Sequence, residues 1–137
     1  MHSKLFSVLP AESAAIRQQV FVEEQKFHNE FDDIDDIATH LVIYDGDTAV
    51  ATGRLYGEEG IAHIGRVAVL PEYRGQRLGA MVVHELEKEA VRQGYKKAVL
   101  SAQCRVRTFY EKQGYVAVGD TYFDEYCEHI QMEKVLL

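Results

Sequence analysis

Apolar and polar residues repeat with two different periods along the first half of the chain. Residues 12–25 carry apolar side chains at helical spacing, with acidic residues early, which predicts an amphipathic helix. Residues 39–44, 48–56 and 61–70 are apolar and rich in strand-forming side chains, and polar turns separate them. The first of these turns contains an Asp-Gly pair, which favours a hairpin. The three runs therefore predict an antiparallel meander.

The second half of the chain predicts a strand, helix, strand unit. Apolar residues recur at helical spacing between Leu78 and Ala90, and a further strand is predicted at 97–103. Because only this helix joins 61–70 to 97–103, we expect the two strands to be parallel, with a right-handed crossover. The other predicted elements are an edge strand at 4–8, a polar loop at 27–38, a short helix at 106–113, and strands at 115–122 and 129–136. Together they predict a mixed α+β fold in one domain, residues 1–137.

Composition and charge narrow the classes of partner. Asp and Glu number 22 against 15 Lys and Arg, a net charge of −7, which opposes a nucleic-acid or anionic-membrane partner. Cys104 and Cys127 match no zinc or redox spacing, and no metal site is predicted. The chain shows no secretory leader and no apolar run long enough to cross a bilayer. We therefore expect a soluble cytoplasmic protein.

The stretch 66–79, RVAVLPEYRGQRLG, leads a strand into the start of the long helix. The first turn of a helix has N–H groups without intrahelical partners and a partial positive charge, so phosphate oxygens bind there well. Gly75 and Gly79 let the backbone approach a bulky anion, and Arg74 and Arg77 add charged donors. These features predict a pyrophosphate-binding corner.

Two signatures, together with the element order, resemble one acyltransferase family. The signatures are R-x-x-x-x-G at 74–79 and F-Y-x-x-x-G-Y at 109–115. They resemble the GNAT superfamily of acyl-CoA-dependent N-acyltransferases over nearly the whole chain. Four further segments resemble the ElaA-like branch: 20–25, 33–40, 100–103 and 129–132. The resemblance implies a central, mixed, mostly antiparallel sheet with a splayed parallel strand pair and flanking helices.

The resemblance also implies acetyl-CoA as co-substrate and no metal. The pantetheine arm would lie between the two parallel strands, bound by the backbone of Val67 and Val69, and an N–H near Val67 would polarise the thioester carbonyl. Arg77 stands where the family usually has glycine, and a helical φ there would keep its N–H available to phosphate. The implied cofactor-binding residues are Val67, Ala68, Val69, Arg74, Gly75, Gln76, Arg77, Leu78, Gly79, Ala80, Gln103, Phe109, Tyr110 and Lys112.

Acyl transfer also needs a proton donor for the departing thiolate and a base for the amine. By resemblance Tyr110 faces the thioester sulfur, and a phenol with its ordinary pKa near 10 is protonated at neutral pH. His63 and His129 are rival bases, and water or the ionisation of the substrate is a third alternative. Glu24, Gln25 and His129 are the implied substrate-binding residues. Some of these residues also have a purely structural interpretation. Tyr110 could be a packed core aromatic, His63 a half-exposed strand histidine, and Glu24 and Gln25 an exposed helix end.

The predicted function is transfer of an acetyl group from acetyl-CoA to a primary amine, of a small molecule or a protein, by direct attack in a ternary complex. One alternative is a module of the same fold that binds acyl-CoA without transfer, as a sensor or partner surface. Another is a nucleotide-phosphate protein unrelated to coenzyme A. The oligomeric state is not predicted, and a homodimer that pairs through an exposed terminal strand is one alternative. The aspartates within 32–36 are expected to form a solvated loop, with attraction of a cationic amine as the alternative role.

Overall fold

Seven strands form a single sheet in the computed structural model, which describes residues 1–136. The strands are β1 His2–Phe6, β2 Thr39–Asp45, β3 Thr48–Glu58, β4 Ile61–Val69, β5 Lys97–Gln103, β6 Val116–Asp124 and β7 Cys127–Val135. Their spatial order is β1-β2-β3-β4-β5-β7-β6, and the β4–β5 pair alone is parallel. The predicted mixed, mostly antiparallel sheet is confirmed.

Three α-helices accompany the sheet: α1 Ala11–Arg17, α2 Leu78–Arg92 and α3 Arg107–Lys112. The helix predicted at 12–25 is present, but its second half, Gln18–Glu24, is a π-helix. The wider turn is visible in the hydrogen bond from Gln25 N–H to the Val20 carbonyl, five residues back. Apolar spacing does not distinguish the two helix types over so short a segment.

Helices α1 and α2 cover opposite faces of the sheet, as two neighbouring residues of β3 show. The Thr52 hydroxyl lies 2.6 Å from the hydroxyl of Ser13 on α1. The next residue, Gly53, faces α2 so closely that a Cβ there would lie 2.6 Å from Val82. The side chains of successive strand residues point to opposite faces of the sheet, so α1 and α2 lie on different faces. The larger core therefore lies between α2 and the sheet.

The sheet has two edge strands, β1 and β6. The edge strand predicted at 4–8 is present, two residues earlier in the chain. Dimerisation through a terminal strand stays a prediction. Among residues 1–136, no helix combines the length and the apolar character that crossing a bilayer requires.

The aspartate-rich loop is only partly solvated: Asp33 and Asp36 are exposed, but for Asp35 the prediction was wrong. Asp35 lies in a 3₁₀ turn, Asp33–Asp36, is 6% exposed, and accepts hydrogen bonds from Arg17 and Arg54 at 2.8 Å. Asp32 pairs with Arg54 at 2.7 Å. The whole network consists of Arg17, Glu30, Asp32, Asp35, Arg54 and Arg66. Its arginines come from α1, β3 and β4, so the local sequence around the aspartates does not reveal them.

Candidate active site

Strands β4 and β5 run together only briefly and then separate. The two registered pairs are Ala62–Ala98 and His63–Val99. The cause lies in β4, where the register against β3 shifts and Arg66 takes a left-handed φ of +54°. Such a bulge bends its strand and increases the local twist, so β4 turns away from β5 beyond His63. This is the splayed parallel pair that the resemblance implied.

The separation opens a cavity of about 630 Å³, here called the first cavity, a size typical of small-molecule sites. Residues 64–69 of β4 form one wall, and β5 and α3 form the other. The predicted cofactor-binding residues that line it are Val67, Ala68, Val69, Arg74, Gln103, Phe109 and Tyr110. Because β4 has left β5 here, its backbone groups on this edge are available to a ligand.

The remaining predicted cofactor-binding residues lie outside this lining. They are Gly75, Gln76, Arg77, Leu78, Gly79, Ala80 and Lys112. Leu78 is buried in the core, so a ligand could meet only its backbone, and Lys112 is exposed at the end of α3. Gly79 packs against α3, because a Cβ there would lie 3.3 Å from the Phe109 ring. The close packing of α2 on α3 explains the small residue at this position.

Arg77 precedes α2 with a left-handed φ of +62°, so the expectation of a helical φ was wrong. An L-residue pays about 1–2 kcal/mol for this conformation, whereas glycine adopts it freely. That cost explains why the family usually has glycine at the position. The N–H groups that lack intrahelical partners at this helix end are those of the first turn, from Leu78 onward.

Arg74 and Glu24, predicted to bind cofactor and substrate respectively, form an ion pair with each other. Two hydrogen bonds of 2.7 and 2.8 Å join the guanidinium to the carboxylate. The hydrogen bonding by Arg74 lowers the pKa of Glu24. Gln25, the other predicted substrate residue, accepts a hydrogen bond of 2.9 Å from Gln103. The end of the π-helix thus meets both β5 and the turn before α2.

Tyr110 stands on α3 with its half-buried ring against the first cavity. It packs edge-on to Phe109 at 4.9 Å and to Tyr115 at 6.1 Å, so it is also part of an aromatic cluster. Within residues 1–136 its hydroxyl has no hydrogen-bond partner, which leaves it available to a ligand. Burial raises the pKa of Tyr110 to about 12, so the ordinary value expected from sequence was wrong.

His129 is buried in the wall of the same cavity, with Phe27 and Tyr122 beside its ring. Its Nδ1 lies 2.9 Å from the Cys127 carbonyl oxygen. A carbonyl only accepts hydrogen bonds, so Nδ1 carries the hydrogen. The neutral ring therefore keeps its Nε2 lone pair for another proton.

His63 does not line the first cavity. It stacks on Tyr56 with ring centroids 4.8 Å apart and lines a second cavity of about 330 Å³. The second cavity lies on the sheet face that carries Arg54, Tyr56 and His63, the face opposite α2. The structure thus separates the two histidines that the sequence left as rivals.

The sequence did not indicate how the rim of the first cavity is closed. Glu125, in the β6–β7 turn, accepts hydrogen bonds from the backbone N–H groups of His28 and Asn29 at 2.9 and 3.0 Å. Tyr126 stacks on Phe27 and donates its hydroxyl hydrogen to the Gln25 carbonyl. These partners are about a hundred positions apart in the chain, so no local pattern could reveal them. In the described part of the chain no group of metal-binding side chains is present.

Comparison with known proteins agrees with this geometry. Residues 9–136 match the sequence profile of the family described as "Acetyltransferase (GNAT) domain". The N-acetyltransferase YjcF of Bacillus subtilis is 34% identical over 122 residues, 87% of each chain. An acyl-CoA N-acyltransferase from Pseudomonas aeruginosa superposes with a TM-score of 0.86 at 27% identity, over 97% of this chain and 98% of that one. Escherichia coli ElaA gives 0.87 at 25% identity, over 98% and 99%. The chain belongs to the GNAT family and is an acetyltransferase.

Proposed function

We propose that this acetyltransferase moves an acetyl group from acetyl-CoA to a primary amine, by direct attack of the amine while both substrates are bound. The observation that carries the proposal is the divergence of β4 from β5, which exposes a strand edge inside a cavity that Tyr110 and His129 line. The similar Pseudomonas protein is itself described as an acyl-CoA N-acyltransferase. No nucleophilic side chain is needed, because the amine attacks the thioester itself.

In the proposed reaction, the thioester arm lies along β4 and the diphosphate lies at the start of α2. The N–H of Val67 donates to the carbonyl oxygen where negative charge develops. Nε2 of His129 accepts a proton from the attacking ammonium, so that the neutral amine forms the new C–N bond. As the C–S bond breaks, the Tyr110 hydroxyl donates a hydrogen bond to the sulfur, and the nitrogen loses its extra proton to solvent. Coenzyme A leaves as a thiolate, which solvent then protonates.

A free-thiol release assay tests the proposal directly. The protein is mixed with acetyl-CoA and a panel of monoamines, diamines, amino acids and peptides, and the released thiol is followed over time. We expect release that depends on one class of amine and yields the acetylated amine in equal amount. Saturable acetyl-CoA binding without amine-dependent release would contradict the proposal.

The two histidines give a matched pair of variants. We expect His129→Gln to lower kcat/KM about 100-fold, the lower range for loss of a positioned base, and to abolish the acidic limb of its pH profile. His63→Gln, outside the first cavity, is expected to keep that limb. The measurement is kcat/KM for the amine between pH 5.5 and 9.5. If His129→Gln retains the wild-type profile, then His129 is not the base.

The Glu24–Arg74 ion pair predicts an effect on cofactor affinity. Glu24→Gln is expected to tighten acetyl-CoA binding about two- to fivefold, because an exposed ion pair of up to about 1 kcal/mol no longer competes for Arg74. Arg74→Gln is expected to weaken binding. Titration calorimetry measures both, and Glu23→Gln, an exposed neighbour, is the control. Weaker binding by Glu24→Gln would mean that the pair holds Arg74 in its binding position.

A further inference from the structure

The two cavities adjoin each other, and Gly65 is one of the residues that line both. The second cavity shares five lining residues with the first: Ile64, Gly65, Arg66, Leu100 and Ser101. Tyr110 and His129 line only the first cavity, whereas Tyr56 and His63 line only the second. A molecule whose reacting end lies beside Tyr110 therefore has room for its remainder beyond Gly65.

Neither common reason for a glycine applies to Gly65. Its φ is not in the left-handed region, unlike that of the next residue, Arg66. A Cβ at Gly65 would also meet no atom of the described chain within 4 Å, so close packing does not require glycine. The missing side chain instead leaves free space between the two cavities. In β4 it would project on the same side as His63, two residues earlier, toward the second cavity.

Charge in the second cavity favours a cation. Arg54 and Arg66 line it, but with Arg17 they face three carboxylates, so their network has equal numbers of both charges. Glu133 is paired with Lys97 at 2.9 Å. Glu58 and Glu59, at the β3–β4 turn, also line the cavity, and neither forms an ion pair within residues 1–136. The unbalanced charge of the cavity is therefore negative.

The remaining walls suit a flexible aliphatic chain that ends in an ammonium group. Tyr122 presents an aromatic ring, and Val99 and Leu100 present aliphatic groups. The Tyr56 ring also lines the cavity, stacked on His63 and with the Arg54 guanidinium over it. Aromatic faces attract ammonium groups, and the carboxylates of Glu58 and Glu59 attract them by their charge. Burial and the charge of Glu58 raise the pKa of Tyr56, which keeps this ring neutral.

We propose that the acceptor is a linear diamine or polyamine, with its reacting amine in the first cavity and a second ammonium group in the second cavity, and that Gly65 determines which acceptors pass between them. The inference rests on the proposed acetyl transfer and names its substrate class. Accordingly, alkyl monoamines of the same length lack the group that the second cavity binds.

The test compares α,ω-diamines of three to eight carbons with the matching monoamines in the thiol release assay. For the wild-type protein we expect kcat/KM at least about tenfold higher for the best diamine than for its monoamine. The double variant Glu58→Gln/Glu59→Gln is expected to lose this preference while its acetyl-CoA affinity is unchanged. Asp45→Asn/Asp47→Asn, the same charge change at the β2–β3 turn, is expected to keep it.

Gly65→Val tests the passage independently of charge. Valine suits a strand, so the fold is expected to persist, whereas the added side chain fills the space between the cavities. We expect the kcat/KM for the diamine to fall at least about tenfold further than the kcat/KM for short monoamines, so that the preference for diamines is lost. Equal use of diamines and monoamines by the wild-type protein would overturn the inference and leave acetyl transfer standing. If acetyl-CoA binds but none of the amines stimulates thiol release, both the inference and the proposed acetyl transfer are overturned.

Discussion

Replacing Tyr110 with phenylalanine is expected to lower kcat about 100-fold, the lower range for loss of a hydrogen-bond donor to an atom that gains negative charge. Acetyl-CoA affinity is expected to change little, because the ring stays and the hydroxyl has no partner in residues 1–136. A thiol has a pKa near 8.5, well below the value of about 12 for Tyr110. Full proton transfer from the phenol to a thiolate is thus uphill. We infer that Tyr110 acts by a hydrogen bond to the sulfur as its charge grows.

The raised pKa of Tyr110 also predicts the shape of the pH profile. A phenol donates only while protonated, and burial extends its protonated range upward to about pH 12. We therefore expect that deprotonation of Tyr110 does not lower kcat between pH 8 and 10. The wild-type protein and Tyr110→Phe should then show the same pH dependence of kcat over this range. Pre-steady-state and steady-state thiol release across this range is the measurement.

Tyr115→Phe is the matched control for Tyr110→Phe. The Tyr115 hydroxyl donates to Glu87 at 2.8 Å, beneath α2 and outside the first cavity. Its loss is expected to cost about 1.5–3 kcal/mol of the free energy of unfolding, the range for a hydrogen bond to a charged group, and to leave kcat unchanged. Tyr110→Phe is thus expected to lower kcat and not stability, whereas Tyr115→Phe is expected to lower stability and not kcat. If Tyr110→Phe keeps the wild-type kcat, Tyr110 has no part in the reaction.

Asp35→Asn is expected to lower the free energy of unfolding by about 3–5 kcal/mol, the range for breaking a buried ion pair. The substitution keeps the side-chain size but removes the charge between Arg17 and Arg54, each of which bonds Asp35 at 2.8 Å. Both guanidinium groups are almost wholly buried, so solvent cannot replace the lost carboxylate. Urea denaturation gives the value. Asp36→Asn, in the same turn but exposed, is expected to change it by less than about 0.5 kcal/mol.

Acid is expected to weaken the same network. Burial raises the pKa of Asp35, but hydrogen bonds from Arg17 and Arg54 outweigh burial and lower it to about 2. A carboxyl with a lowered folded-state pKa contributes stability above its unfolded value, and the contribution is lost as pH falls from about 4 to 2. For Glu30, burial outweighs its arginines and raises the pKa, so its effect has the opposite sign. If Asp35→Asn and the wild-type protein lose stability equally over this interval, Asp35 does not carry the effect.

Local patterns in the sequence were enough to predict the sheet, whereas the cleft between β4 and β5 was implied by the family resemblance. The hairpin at Asp45, the helix between Leu78 and Ala90, and the crossover to β5 depend on periodicity and turn chemistry, which act over a few residues. The signature around Tyr110 then identified the family. The exact bounds of strands and the π-helical end of α1 depend on tertiary packing, and the sequence did not reveal them.

The charged network and the second cavity could not be predicted because their parts are distant in the chain. Arg17, Asp35 and Arg54 meet only after α1, β3 and the loop between them have packed. The local sequence around the aspartates contains no cation, so a solvated loop was the natural expectation. Arg77 is a different case: the glycine that the family usually has there was a local signal for a left-handed φ, but a helical φ was expected.

Hydrogen-exchange mass spectrometry with and without acetyl-CoA tests most directly whether the diverging strands hold this molecule. On the β5 side, β4 beyond His63 has no strand partner, and the first N–H groups of α2 have none within the helix. We predict that acetyl-CoA slows exchange in peptides covering 64–69 and 78–80, and leaves β1 and β2 unchanged. Unaltered exchange in both segments at saturating acetyl-CoA, or protection confined to other parts of the sheet, would contradict the account.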